Sequence, residues 1–128
     1  MITLLLILLF NLELDKEQEI FILANSAREE SLMWDECLAG SAVDRAKFLV
    51  ENNYWAHYTD DGSTPWQFMD HCGYQYAGEN LAQNFTDMDE MHQAWMDSPL
   101  HRKNIENKLF NKIGVGCYEN ICVQYFKD

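Results

Sequence analysis

The sequence is poor in the residues that loosen a chain, with only six glycines and two prolines among 128 residues. That scarcity excludes an extended low-complexity or disordered protein. Positive charge is scarce too: nine lysines and arginines stand against 21 aspartates and glutamates, a formal net charge of −12. Phosphate backbones and anionic lipid surfaces are repelled by that balance, so nucleic acid is not an expected partner. The acids are spread along the chain and not gathered into a tail, as in a solvated surface that keeps an exported protein soluble. Long apolar runs are missing as well. The stretch Ile2 to Phe10, apolar except for Thr3, falls well short of the roughly 20 residues that cross a bilayer. Finally, no two cysteines have the C-x-x-C spacing of a zinc knuckle.

What is present suits one packed domain. Hydrophobic residues make up 48% of the chain and aromatics 13%, enough for a core rich in aromatic rings, and a second domain has no room. Residues 1–14 read as a signal-like apolar segment and 15–128 as the domain. The apolar run has the length of a secretory signal core, but no lysine or arginine precedes it, and Asn11-Leu12-Glu13 lacks the small residues that favour cleavage. The expected location is therefore extracellular, with retention at the membrane through an uncleaved segment as the variant.

Four cysteines, Cys37, Cys72, Cys117 and Cys122, favour disulfides in such a chain. Three connectivities exist, and the preferred one joins Cys117 to Cys122 and Cys37 to Cys72. A two-residue turn at Glu119-Asn120 makes Tyr118 and Ile121 its flanking pair and sets Cys117 opposite Cys122.

Periodicity predicts a first helix from Asp15 to Glu30, with Ile20, Leu23, Ala24 and Ala27 on one face. A second helix, capped by Asp35, carries Leu38, Ala42, Ala46 and Leu49 until Asn52-Asn53, and its alanines suggest close packing on a sheet. Thr64 and Pro65 start a short helix that Gly73 closes. Tyr74 to Ala77 alternates like a strand leading into Gly78-Glu79-Asn80, itself read as a turn. A further helix from Thr86 or Asp87 carries Met88, Met91 and Trp95 up to Ser98-Pro99, where a helical turn holding His101 begins. Ile113 to Cys117 and Cys122 to Phe126 form a hairpin. The expected class is α+β, a three-layer α/β/α sandwich with a small antiparallel sheet between helices.

Chemistry concentrates in three separate segments: His57 in a loop, Glu79 beside the predicted strand, and His101 after Pro99. Two imidazoles and a carboxylate can bind a metal or move protons. Asn80 is expected to tie down the backbone beside Glu79. His71, beside a disulfide cysteine, and His92, next to Met91 on a helix, are assigned to structure. Asn84-Phe85-Thr86 fits an N-glycosylation acceptor in a eukaryotic secretory pathway.

Taken in order, the motifs Trp34-Asp35, Ala56-His57-Tyr58-Thr59, Gly78-Glu79-Asn80-Leu81-Ala82, Ala94-Trp95-Met96, Ser98-Pro99-Leu100-His101-Arg102-Lys103-Asn104-Ile105, Ile113-Gly114-Val115-Gly116 and Val123-Gln124-Tyr125-Phe126 resemble the CAP superfamily. These are the cysteine-rich secretory proteins, venom antigens and plant pathogenesis-related proteins, and the short single-domain microbial branch is the nearer match. The resemblance implies the three-layer fold and a pocket of His57, Glu79 and His101. Larger members carry a glutamate three positions after the helix tryptophan; here that position is Ser98, with Asp97 adjacent but about 100° round the helix. A non-catalytic binding module results, in which His57, His101 and Glu79 hold zinc or another divalent cation and the cleft takes a lipid, envelope or host component. One alternative is a protease-like hydrolase using His57 or His101 as base and Glu79 as orienting acid, in which Ser98 is better explained as a helix cap than as a nucleophile and a metal-bound water takes the nucleophile's place. The other is an acidic structural protein without a functional cleft. The expected state is a monomer.

Overall fold

The computed structural model describes residues 13–128, so the signal-like reading of the first residues falls almost wholly outside the described part. Asp15 opens the first helix through a capping box: its carboxylate accepts from Gln18 N at 2.8 Å while the Gln18 side chain accepts from Asp15 N at 3.1 Å. This helix, α1 (Lys16–Ser26), stops four residues before the expected Glu30. The Arg28 guanidinium is needed elsewhere. It donates to the carbonyls of Ile105, Asn107 and Phe110, each at 2.9 Å, supplying partners to a distant helix end.

Strand β1 (Met33–Trp34), too short to leave a periodic signal, follows. Asp35 then caps α2 (Glu36–Glu51) by accepting from Leu38 N at 2.8 Å. The expected short helix after Pro65 is two 3-10 turns, Pro65–Phe68 and Asp70–Cys72, ended by Gly73 at φ 70°. Strand β2 (Ala77–Gln83) begins where the sequence reading ended one, and Gly78-Glu79-Asn80 is strand and not turn. Upstream, the amides of Gln75 and Tyr76 donate to the Asp128 carboxylate at 2.8 and 2.9 Å, and ladder pairing starts only at Ala77. Asp87 caps α3 (Met88–Asp97), and Pro99 opens α4 (Pro99–Glu106). Strands β3 (Lys112–Tyr118) and β4 (Ile121–Lys127) form the hairpin, with Cys117 opposite Cys122 and Tyr118 opposite Ile121 as the turn requires. Both expected disulfides are formed.

The sheet order is β1-β3-β4-β2, antiparallel except for the parallel β1–β3 edge, which the sequence reading did not contain. Alternation along β4 divides the interior in two. Ile121, Val123 and Tyr125 face α2 with Leu38, Ala42, Ala46 and Leu49. Cys122 and Phe126 face Ile20 of α1, Met91 and Trp95 of α3 and Ile105 of α4. The chain is thus an α/β/α sandwich with a core on each side of its sheet. Helix α2 lies so close that a Cβ on Gly114 would come 2.2 Å from Ala39 N, which is why a glycine interrupts the apolar strand and why the facing helix is lined with alanines.

Candidate functional site

Strand β2 is an edge strand, and its two-residue period sends neighbouring side chains to opposite faces. Glu79 pairs in register with Tyr125 and faces α2; Asn80 pairs with Gln124 and faces α4. The site is therefore built across the sheet edge from both outer layers.

On the α2 side, Arg45 Nε donates to Glu79 Oε2 at 2.8 Å and Nη2 reaches Oε1 at 3.3 Å. Both side chains are buried, at 0% and 1% exposure, so each charge requires the other. The same Nη2 donates to the carbonyls of Ala56 and His57 at 3.2 and 2.7 Å, and the Arg45 guanidinium lies over the Phe68 ring. Arg45 thus fixes the carboxylate and also the loop that carries His57. From that loop, His57 Nδ1 meets Glu79 Oε1 at 2.8 Å, leaving a ring 47% exposed. Beneath them the Tyr125 hydroxyl donates to Pro65 O at 2.7 Å; burial, then the Glu79 charge, pushes its phenol well above the usual range.

On the α4 side, Asn80 is wholly buried and donates to His101 O at 3.1 Å and Gln124 Oε1 at 3.0 Å, while Asn104 donates to Asn80 Oδ1 at 2.8 Å. The Asn80 side chain therefore anchors the helix that carries His101 and does not bond the backbone beside Glu79, where it was expected. Asn104 also donates to Glu79 O at 3.1 Å. A Cβ on Gly78 would meet Phe110 Cε2 at 2.9 Å and Asn104 Oδ1 at 3.0 Å, so the motif's glycine admits these neighbours and makes no turn. His101 Nδ1 lies 2.7 Å from Ser98 Oγ. Ser98 begins α4, yet its hydroxyl caps no backbone amide; the helix-cap explanation is corrected, because the hydroxyl is turned to His101. Burial, and secondarily the nearby His57, hold the His101 ring below the ordinary imidazole range.

The two imidazoles and Trp55, Ala56 and Leu81 line a cavity of about 280 Å³. Asp97 stays out of it. Its carboxylate accepts from Gln93 on its own helix at 2.8 Å, and it borders a separate open groove with Arg102 and Lys103. Helical rotation carried it off, as the 100° offset requires. Arg45 and Asn104 are site residues that the sequence reading missed. A signal for Arg45 existed: it lies three residues after Ala42 and four before Leu49, on the apolar stripe itself, and a charge there implies a buried partner.

The family model for the cysteine-rich secretory protein family, CAP, matches residues 25–126. The chain belongs to the CAP family. Among its relatives, an uncharacterized protein of Bacillus subtilis, YkwD, is 36% identical over 110 residues, covering 81% of this chain and 43% of the relative. The solved structure of an extracellular SCP-domain protein from Bacillus anthracis superposes with a TM-score of 0.82 at 34% identity, covering 88% of this chain and 40% of that one. An outer surface protein of Borrelia burgdorferi gives a TM-score of 0.74 at 26% identity, covering 90% and 96%. This CAP domain spans less than half the length of the Bacillus proteins it matches. The three-layer arrangement expected from the motifs is the one these neighbours share.

Proposed function

We propose that this CAP domain is a binding module of the cell exterior, and that its cleft holds a divalent cation, zinc foremost, between His57 and His101. The observation that carries this is the state of the ring nitrogens. Each imidazole has Nδ1 engaged by a fixed neighbour, Glu79 for His57 and Ser98 for His101, which leaves Nε2 of both rings as donors beside one cavity. Glu79 acts through His57, because its oxygens are already committed to Arg45 and His57. A carboxylate behind a ligating histidine fixes the ring and its tautomer. With two protein nitrogens in the sphere, water or an extracellular ligand supplies the remaining positions, and affinity is modest. Export is supported by the two disulfides and by the extracellular and outer-surface neighbours. The organic ligand class is a lipid, envelope or host component that rests against the half-exposed Trp55.

Zinc calorimetry at pH 7.5 tests the cation site. Wild type is expected to take up one zinc that the His57→Ala, His101→Ala double variant does not; equal uptake overturns the reading and leaves both rings as scaffold. Because the reading concerns the oxidised protein, no reductant is added.

One observation favours a second reading, a hydrolase. Ser98 Oγ sits 2.7 Å from His101 Nδ1, a separation at which the ring can take the hydroxyl proton. Hydrolysis of an ester or peptide library that is abolished by Ser98→Ala would establish it. No turnover with or without zinc would leave binding.

A further inference from the structure

A second group of ligand atoms gathers at the first turn of α2. Sγ of Cys37 and of Cys72 and a ring nitrogen of His71 fall within 4.8 Å of one another, a convergence found nowhere else among the described residues. His71 Nε2 is 3.8 Å from Cys72 Sγ, and His71 is exposed. With Zn–S near 2.3 Å and Zn–N near 2.0 Å, the edges of a tetrahedral site are about 3.5 to 3.8 Å. The histidine nitrogen is therefore already close to the nitrogen–sulfur edge of such a site, about 3.5 Å.

We propose that Cys37, Cys72 and His71 form a redox-gated site for a thiophilic divalent cation, closed in the disulfide form and open in the dithiol form. The gate is thiol–disulfide exchange with a dithiol reductant. One thiolate of the reductant attacks a protein sulfur and the Cys37–Cys72 bond breaks. The second reductant thiol then closes on the first, so the reductant leaves as its own disulfide while two electrons and two protons pass to the protein. Metal binding next expels both thiol protons, and two thiolates balance the charge of a divalent cation. Neutral His71 supplies the third donor and water the fourth.

The ligands stay near their places without the bond, because other contacts hold the segment. Cys72 N donates to Met69 O at 2.9 Å, and Met69 is fully buried. Lys127 Nζ donates to Gly73 O at 2.7 Å and to Cys72 O at 3.4 Å. Tyr125 holds Pro65 O, and Ser41 Oγ lies 3.5 Å from Cys72 Sγ while bonded to Cys37 O. Cys37 itself is in the first turn of a 16-residue helix with its own cap. The Cys117–Cys122 pair has no histidine or third cysteine in such a group among the described residues, so the proposal does not extend to it.

The test uses the Cys117→Ser, Cys122→Ser variant, oxidised or reduced with a phosphine, titrated with cobalt(II) and then zinc. The reduced form is expected to bind one cobalt more than the oxidised form, and that additional cobalt carries a sulfur-to-cobalt charge-transfer band. Zinc should bleach that band, and the oxidised form should not show it. Cobalt at His57 and His101 gives no sulfur band, so this readout is independent of the cleft. His71→Ala should weaken reduced-state affinity at least tenfold with the fold intact by circular dichroism. Absence of the sulfur band in reduced, folded protein overturns the proposal, as does affinity unchanged by His71→Ala. Reduction that unfolds the chain without recovery on adding one equivalent of zinc also overturns it.

Discussion

Replacing Arg45 with methionine keeps an unbranched apolar stem, shorter than arginine's, and removes the guanidinium. Glu79 then remains at 1% exposure with its cationic partner gone, and the carbonyls of Ala56 and His57 lose a donor. Removing one member of a buried ion pair costs about 3–5 kcal/mol, since the survivor keeps its desolvation penalty. At roughly 2.1 cal/mol/K per residue, unfolding 128 residues carries about 0.27 kcal/mol/K. The expected fall in Tm is therefore about 11–19 °C, read by circular dichroism at pH 7 without reductant. A double-mutant cycle isolates the charge. Glu79→Gln alone leaves the guanidinium unpaired, whereas Glu79→Gln with Arg45→Met leaves no buried charge, so the double variant should be more stable than the sum of the single losses by about 2 kcal/mol or more. A coupling below about 0.5 kcal/mol, or a Tm drop of less than about 4 °C for Arg45→Met, would refute the claim that this pair organises the site.

Asn80→Ala strands Asn104 and Gln124 and frees His101 O, and should cost about 1–3 kcal/mol in urea unfolding while also weakening any cation uptake at His101. Gly114→Ala drives a methyl into the α2 backbone, and a loss of about 1–3 kcal/mol or more is expected, against the gain that Gly→Ala brings in open surroundings. For His101, proton NMR should give a midpoint below the free-imidazole value of about 6.5. The folded state prefers the neutral ring, so this contribution to stability is fully present above about pH 6.5 and is lost as pH falls toward the folded value. A midpoint above 6.5, or stability that rises on acidification through this window in a His101-dependent way, contradicts the burial seen here.

The helices were legible because their start signals are local. Asp15, Asp35, Asp87 and Pro99 all begin helices where the sequence places them. The hairpin was legible for the same reason, its register following from a two-residue turn. Illegible were features whose cause lies far along the chain: α1 ends early because Arg28 bonds carbonyls some 77 to 82 residues away, and β1 exists only by pairing with β3. In the site, histidines and a carboxylate stood out by residue type, whereas Arg45 was hidden inside a periodic stripe read as apolar. Ser98 was misjudged because a serine before a proline suggests a cap, and only three-dimensional placement shows its hydroxyl facing an imidazole instead.

The ends of the sheet bear on how the protein behaves when crowded with copies of itself. A strand with bare carbonyls along one side is a template on which another chain can add. Along β2 the carbonyl of Glu79 is taken by Asn104 and that of Leu81 by the Trp95 indole N–H at 3.0 Å, so two side chains occupy places an incoming strand would need. At the opposite end, β1 offers only two residues. The contacts that hold the pocket's floor thus also shut the sheet against growth, and damage to Trp95 or Asn104 would create a sticky edge as well as a loosened pocket.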